Sequence, residues 1–362
     1  MPMDTLASPV AEILDFIAQE SCTDAQFDRL ALRLFAYQYA ASGAYRSFCQ
    51  RRGATPRQVK SWHDIPAVPI DAFKALELRC EPSSPAERVF MTSGTTRADN
   101  RGRHFHPRLD VYDLSMTLNF AQRFMKGAAH LPMGILFPDE EALPNSSLAH
   151  YLSLAKSTFG SSGSRHFMTP QGLDLPGLLA TLEDAERQGQ PYALLGASYS
   201  FVHLVDALRQ QGRRFLLPPG SRILDTGGYK GQSRELPLES FYADLSQALG
   251  VPRSDCINMY GMTELSTQFY DDGNAAVPSV KSGPHWIRSR LIDPATGRTV
   301  APGARGLLVH CDLGNFNSVT SILTEDIGQA VAGGFLLLGR AQGVEAKGGS
   351  LAVEEFMRAA AA

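Results

Sequence analysis

The first apolar residues fall on a helical period. Val10, Ile13, Leu14 and Ile17 share one face of residues 9–20. A second helix is predicted from Asp24, read as its N-cap, to Ala41, with Phe27, Leu30, Leu34 and Phe35 inward. Gly43 and Gly53 break the pattern. Residues 62–74, with Pro66 and Pro69, read as an extended linker, because a residue before proline avoids helix. From the short run Arg88-Val89-Phe90 onward the pattern alternates. Short strands are predicted at 133–137, 192–195, 221–225 and 255–260. Helices are predicted at 110–126, 145–159 with Asn145 as cap, 175–188 with Pro176 in the first turn, 199–211 and 235–249. Such alternation predicts an α/β fold with a largely parallel sheet and ligands at the carboxyl ends of its strands. The loops at Thr92, Gly196, Gly227 and Gly261 each follow a candidate strand and are expected to converge on one cleft. From Trp286 the texture changes to strands and turns at 286–292, 306–310, 318–323 and 335–338, a small antiparallel β-subdomain ending at Gly339-Arg340. The expected organisation is a core over 1–340, made of a helical lead-in (1–85), an α/β part (86–285) and the β-subdomain (286–340). Residues 341–362 form a short remnant with one helix after Ser350.

Bulk properties change this picture little. The 362 residues carry a net charge of −3, which gives no reason to expect nucleic acid or an anionic membrane as partner. No apolar run approaches a membrane span, and the N-terminus lacks a signal-peptide pattern. Cys22, Cys49, Cys80, Cys256 and Cys311 show no CxxC spacing and read as reduced thiols of a cytoplasmic protein. The histidines form no metal spacing. His104 and His106 are expected on alternate faces of a strand, in ordinary polar or core roles.

Four loops carry candidate chemistry. Thr92-Ser93-Gly94-Thr95-Thr96 is small, hydroxyl-rich and flexible, and its backbone amides would form a concavity suited to phosphate. Arg101 and Arg103 follow it and would add forked donors. Its bland reading is a capped turn. Asp225-Thr-Gly227-Gly228-Tyr229-Lys230-Gly231 places two glycines after a strand, where a ligand can approach the backbone. Met259-Tyr260-Gly261-Met262-Thr263-Glu264 offers an aromatic face, a hydroxyl and a carboxylate able to hold Mg²⁺. Asp326, followed by Gly339-Arg340, suits the paired hydroxyls of a ribose. Alone, each of the last three also reads as an ordinary turn or strand end.

Together these segments resemble the ordered motifs of the adenylate-forming superfamily of acyl-CoA synthetases, adenylation domains and luciferases. Residues 62–74, Pro144-Asn-Ser-Ser-Leu148, Gly196–Phe201 and Asp225–Gly231 are most similar to the acyl-protein synthetase (LuxE-like) family within it. The resemblance covers nearly the whole chain. It implies an adenylate-forming core, with ATP and Mg²⁺ as cofactors and a carboxylic acid as substrate. It further implies an acyl-adenylate released with pyrophosphate, then transfer to an acceptor. Ser93, Gly94, Thr95 and Thr96, with Thr92, would hold the β,γ-phosphates. Tyr260 and Gly261 would flank the adenine, with Gly227, Gly228 and Tyr229 opposite. Thr263 would bind the α-phosphate, Glu264 the metal, and Asp326 and Arg340 the ribose. Lys230 joins Thr263 and Glu264 as a catalytic candidate. Ser198, Phe201, Met259 and Gly261 are the candidate acyl pocket.

Two departures from the superfamily bear on mechanism. Its mobile C-terminal domain with a catalytic lysine is expected to be largely absent, since the sequence stops soon after Arg340. Lys347 lies where a crossover strand would be, and Gln342 occupies the usual hinge position. LuxE-like proteins also place an acyl-accepting cysteine near the C-terminus, and no cysteine follows Cys311. The expected acceptor is therefore external: coenzyme A, a carrier protein, a partner enzyme or an amine. Two rival readings remain at this stage. One is a serine hydrolase using Ser198, Asp225 and His285, although Ser200 replaces the second glycine of the nucleophile elbow. The other is a nucleotide-binding protein without catalysis.

Overall fold

In the computed structural model, which describes residues 7–85, 87–93, 101–228, 232–341 and 354–359, the chain groups into two units. The first takes the residues up to Met116, Met262–Thr267 and those from Gly283 on. The second takes Thr117–Gly261 and Gln268–Ser282.

The second unit holds the parallel sheet expected from the alternation. Its strand order is Phe269–Tyr270, Cys256–Tyr260, Arg222–Thr226, Ala193–Ala197, Met133–Leu136, Arg165–His166. All neighbours are parallel except the first pair. The strands Ala193–Ala197 and Met133–Leu136 are buried at every residue, which is why they read as continuous apolar runs and not as alternating ones. Helices Leu175–Gln188, Ser198–Gln210 and Leu238–Leu249 close the core with Leu178, Leu182, Phe201, Leu204, Phe241 and Leu245. Ala197, Thr226 and Met259 lie side by side in the register, so three strands end within one residue of each other. The helix expected from residue 145 begins at Ser147. Its cap is Ser146, whose hydroxyl accepts from the Ala149 amide, and not Asn145. The helix from Asp110 stays α-helical to Phe120 and then widens into a π-turn over Ala121–Met125, closed by Lys126 at φ 48°.

In the first unit, Ile287–Ile292, Arg305–Asp312, Ser321–Val331 and Gly334–Arg340 pair antiparallel in sequence order. The stretch expected as a linker supplies a further strand. Val68–Pro69 pairs parallel with Ile322 and Leu323. The lead-in and the β-rich segment therefore share one sheet. In the helices, Thr23 and not Asp24 is the N-cap, in a reciprocal capping box with Gln26. Gly43 does not end the helical run. Ser42 caps a further helix, Gly43–Arg51, which buries Tyr45, Phe48 and Cys49. Gly53, at φ +64°, does end it. Gln38 is fully buried, and its amide bonds the Asn315 carbonyl and the Thr320 amide, tying the second helix to the 315–320 turn. Residues 354–359 are helical, with Phe356 packed on Phe48. Among the described residues no helix is long and apolar enough to cross a membrane.

Asp312 anchors Met262–Thr267 to this unit. Its carboxylate, fully buried, accepts from the Ser266, Thr267 and Gly314 amides and from the Thr267 hydroxyl, at 2.8–2.9 Å. Removing it strands four buried donors. Asp312→Ala is expected to cost on the order of 3–5 kcal/mol, read as a lower urea midpoint.

Candidate functional site

The first unit carries the hydroxyl-rich turn and the carboxylate. Strands Arg88–Met91 and Arg103–His106 pair antiparallel, and in the sequence the hydroxyl-rich segment lies between them. Gly94, Thr95 and Thr96 lie outside the described residues, as do Tyr229, Lys230, Gln342 and Lys347. The Thr92 amide donates to the Gly102 carbonyl, and the Gly102 amide donates to Thr92 Oγ1, both at 2.9 Å. A Cβ on Gly102 would lie 3.0 Å from Glu264 Oε1 and 3.0 Å from Thr92 Cγ2. Glu264 thus packs directly on the turn's base, and the absence of a side chain at residue 102 lets it do so.

Glu264 is 4% exposed. Among the described residues no side chain hydrogen-bonds its carboxylate, which is served by its own backbone amide. Burial pushes its pKa up to about 7, against the opposing pull of that amide and of Lys74 and Arg340. A desolvated carboxylate of this kind fits a cation. Among the described residues no group of three or more His, Cys, Asp or Glu side chains could hold a metal.

The two arginines differ. Arg103 is engaged, 3.3 Å from Glu77 and 5.6 Å over the Phe105 ring. Arg101 keeps a buried Nε with no hydrogen-bond partner among the described residues. His104 and His106 share a strand face, as residues two apart must, with ring centroids 4.1 Å apart. The expectation of alternate faces is corrected. Burial holds the His104 imidazole neutral, with its pKa lowered to about 4. Asp326 lies within the strand Ser321–Val331 and not at its end. It is opposite Arg340 in the register, with Arg340 Nε 4.0 Å from Asp326 Oδ1. A bulge at Thr324–Asp326, opposite Leu308, re-aims it, with Thr324 Oγ1 donating to the Leu308 carbonyl and accepting from the Asp326 amide.

The second unit carries the parallel-strand ends. Gly227 and Gly228 follow Thr226 at φ +76° and +63°, a left-handed pair that glycine adopts without strain. Thr226 Oγ1 donates to the Met259 carbonyl at 2.8 Å and locks this turn to the strand leading into Tyr260. Tyr260 is 8% exposed and 5.7 Å from the Phe269 ring. From Gly261 the chain passes directly into Met262-Thr263-Glu264 of the first unit. Two acyl-pocket candidates, Phe201 and Ser198, are engaged within the unit. Phe201 is fully buried in the helix–sheet core. The Ser198 hydroxyl donates to Asp225 Oδ2 at 2.7 Å and to the Thr226 carbonyl at 3.1 Å. Both support the strand ends. The same bonds count against the hydrolase reading, which needs a histidine at Ser198, while His285 Nε2 bonds the Phe16 carbonyl.

Lys74, Gly102 and His104 escaped the reading of the sequence. Lys74, expected in an extended linker, is carried by a short helix, Ala72–Ala75, and is held by Asp71 at 2.6 Å. A signal for Gly102 was present in its setting, a lone glycine between two arginines just after a hydroxyl-rich turn.

An open conformation of 2-hydroxyisobutyryl-CoA ligase in complex with 2-HIB-AMP and CoA superimposes with a TM-score of 0.61. It is 18% identical, over 89% of this chain and 76% of that one. ATP-bound MatB from Rhodopseudomonas palustris gives 0.52 at 16% identity, over 80% of this chain and 56% of that one. At these identities the likeness is one of fold. The family described as "Acyl-protein synthetase, LuxE" matches residues 15–357, and the chain belongs to it. Its relatives include the long-chain-fatty-acid–luciferin-component ligases of Vibrio harveyi and Aliivibrio fischeri. These are 26% and 23% identical over 305 and 308 residues, each match covering 83% of this chain and 78% of the relative.

Proposed function

We propose that the chain activates a carboxylic acid with ATP, releasing pyrophosphate and forming an acyl-adenylate, and then hands the acyl group to an external acceptor. The observation that carries this reading is Glu264, a buried carboxylate without a side-chain partner among the described residues, set against the base of the hydroxyl-rich turn. Attack of a carboxylate on a phosphate anion is slow until charge is neutralised. Mg²⁺ held by Glu264 would supply part of that neutralisation when bound. In this reading Thr92 and Ser93, with Gly94, Thr95 and Thr96, cradle the β,γ-phosphates, and Arg101, whose buried Nε has no hydrogen-bond partner among the described residues, turns its guanidinium to them. Arg103 is withdrawn from that role because Glu77 and Phe105 hold it. Lys230 is retained as a phosphate contact on its sequence position. Thr263 binds the α-phosphate. Tyr260 and Gly261 flank the adenine with Gly227, Gly228 and Tyr229 opposite, and Met259 and Gly261 border the acyl pocket.

Asp326 and Arg340 are read as the ribose contacts. Because hydrogen bonds to a charged group are each worth roughly 1.5–3 kcal/mol, Asp326→Ala is expected to raise KM for ATP by about 10–100-fold with little change in kcat. Steady-state kinetics with ATP varied checks this.

The thiols support an external acceptor. Burial raises the pKa of Cys49 and Cys80 to about 12 and pushes Cys256 and Cys311 higher still, so none of the four presents a thiolate near neutral pH. The remaining thiol, Cys22, donates to the His285 carbonyl. The function is tested by ATP-dependent pyrophosphate release against fatty, aromatic and amino acids. Release with an acid, and no hydroxylamine-sensitive acyl adduct on the chain, is the expected result. ATP binding without release for any acid would favour a non-catalytic nucleotide-binding protein.

A further inference from the structure

We propose that His104 fixes the Thr263–Glu264 segment against the base of the hydroxyl-rich turn, and so acts as a positioning residue for the metal and phosphate half of the site. The inference rests on the role given to Glu264 above. His104 is 1% exposed, on the strand Arg103–His106. Its Nδ1 lies 2.9 Å from the Thr263 carbonyl oxygen. A carbonyl can only accept, so Nδ1 carries the proton. Nε2 is then the acceptor, and takes the hydroxyl proton of Ser318 at 3.2 Å. The ring is walled by His106 at 4.1 Å and, edge-on, by Phe73 at 5.8 Å, which leaves it little freedom to turn.

Two residues before His104, Gly102 makes its paired bonds with Thr92 and abuts Glu264. One residue before Glu264, Thr263 receives the imidazole proton. The short stretch 102–104 therefore grips the base of the turn at residue 102 and the carboxylate-bearing segment at residue 104. The Asn315 side-chain amide adds a bond to the Glu264 carbonyl at 2.8 Å, so the segment is held from both sides of the carboxylate's own residue. His104 does not reach the site itself. Its effect passes through the Thr263 backbone.

Asparagine and glutamine separate this role from mere packing. The amide nitrogen of asparagine stands about where Nδ1 stands, and that of glutamine about where Nε2 stands. His104→Asn keeps a donor for the Thr263 carbonyl and is expected to lose about threefold in kcat for pyrophosphate release. His104→Gln strands that carbonyl and frees the carboxylate to drift by a fraction of an ångström. It is expected to raise the Mg²⁺ concentration for half-maximal rate by about tenfold or more and to lower kcat by about 10–100-fold, with KM for the acid unchanged. Backbone amide exchange at Thr263–Leu265 should rise in the glutamine variant and not in the asparagine variant. Equal losses in the two variants, or an unchanged Mg²⁺ requirement in His104→Gln, would overturn the proposal. A parent chain that releases no pyrophosphate with any acid would overturn the functional reading instead. The exchange comparison would then still decide whether His104 holds the segment.

Discussion

Glu264→Gln is expected to lower ATP–pyrophosphate exchange by about 10²–10³-fold, the loss typical when one preorganised electrostatic contact to a transition state is removed. The same substitution should make the folded chain relatively more stable as pH rises. The carboxyl has its pKa raised from 4.5 to about 7 in the folded state, because burial penalises the charged form. For such a group the favourable contribution to folding is complete below pH 4.5 and is lost as pH rises through about 7. The loss amounts to on the order of 3 kcal/mol for a shift of this size. Glutamine does not titrate. The stability of the variant relative to the parent should therefore climb between pH 5 and 8 by up to that amount, whatever fixed cost the buried amide carries. Urea denaturation of both proteins at the two pH values measures it. A flat difference would show that the carboxylate is solvated or paired in solution. Undiminished exchange would show that the metal is held elsewhere.

Gly102→Ala is the second large effect. Residue 102 has an ordinary backbone conformation, so alanine brings no dihedral strain, and the added methyl carbon acts only through its neighbours. Those are Glu264 Oε1 and Thr92 Cγ2, both at 3.0 Å. Relief requires the carboxylate or the turn to move by several tenths of an ångström. Displacements of about 1 Å in a positioned group can cost roughly 10² in rate, and a loss of about 10–100-fold in kcat/KM is expected with the melting temperature little changed. A rate within about twofold of the parent would mean that this contact is slack.

Much of the second unit was legible because its physics is local. Leu175–Gln188 declares itself by period, as Val10–Ile17 does in the first unit, and the buried strand Ala193–Ala197 by an unbroken apolar run between turn signals. Caps were misplaced by one residue, at Asp24 for Thr23 and Asn145 for Ser146, because adjacent polar residues are equally good candidates until the backbone chooses. What could not be read was non-local. Nothing in Ala67-Val68-Pro69 announces a partner at Ile322–Leu323. Nothing in Asp225 says that its carboxylate will take the hydroxyls of Ser198 and Tyr242, at 2.7 and 2.8 Å. In the candidate site, residue types that favour phosphate and metal were visible in the loops themselves. The residues that hold those loops, Gly102, His104 and Asp312, were not, because their significance is a distance to another segment.

The parallel pairing of Val68–Pro69 with Ile322–Leu323 has a consequence for biosynthesis. The chain's opening helices leave the ribosome with a strand that has no edge to join. Its partner is translated roughly 250 residues later, a wait of about 10–50 s at ordinary elongation rates. The parallel sheet around Ala193–Ala197 and Cys256–Tyr260 is synthesised entirely within that interval. It can therefore close first, while the nascent amino-terminal segment waits for its partner with apolar surface uncovered, a stage at which a chaperone would have the most to hold.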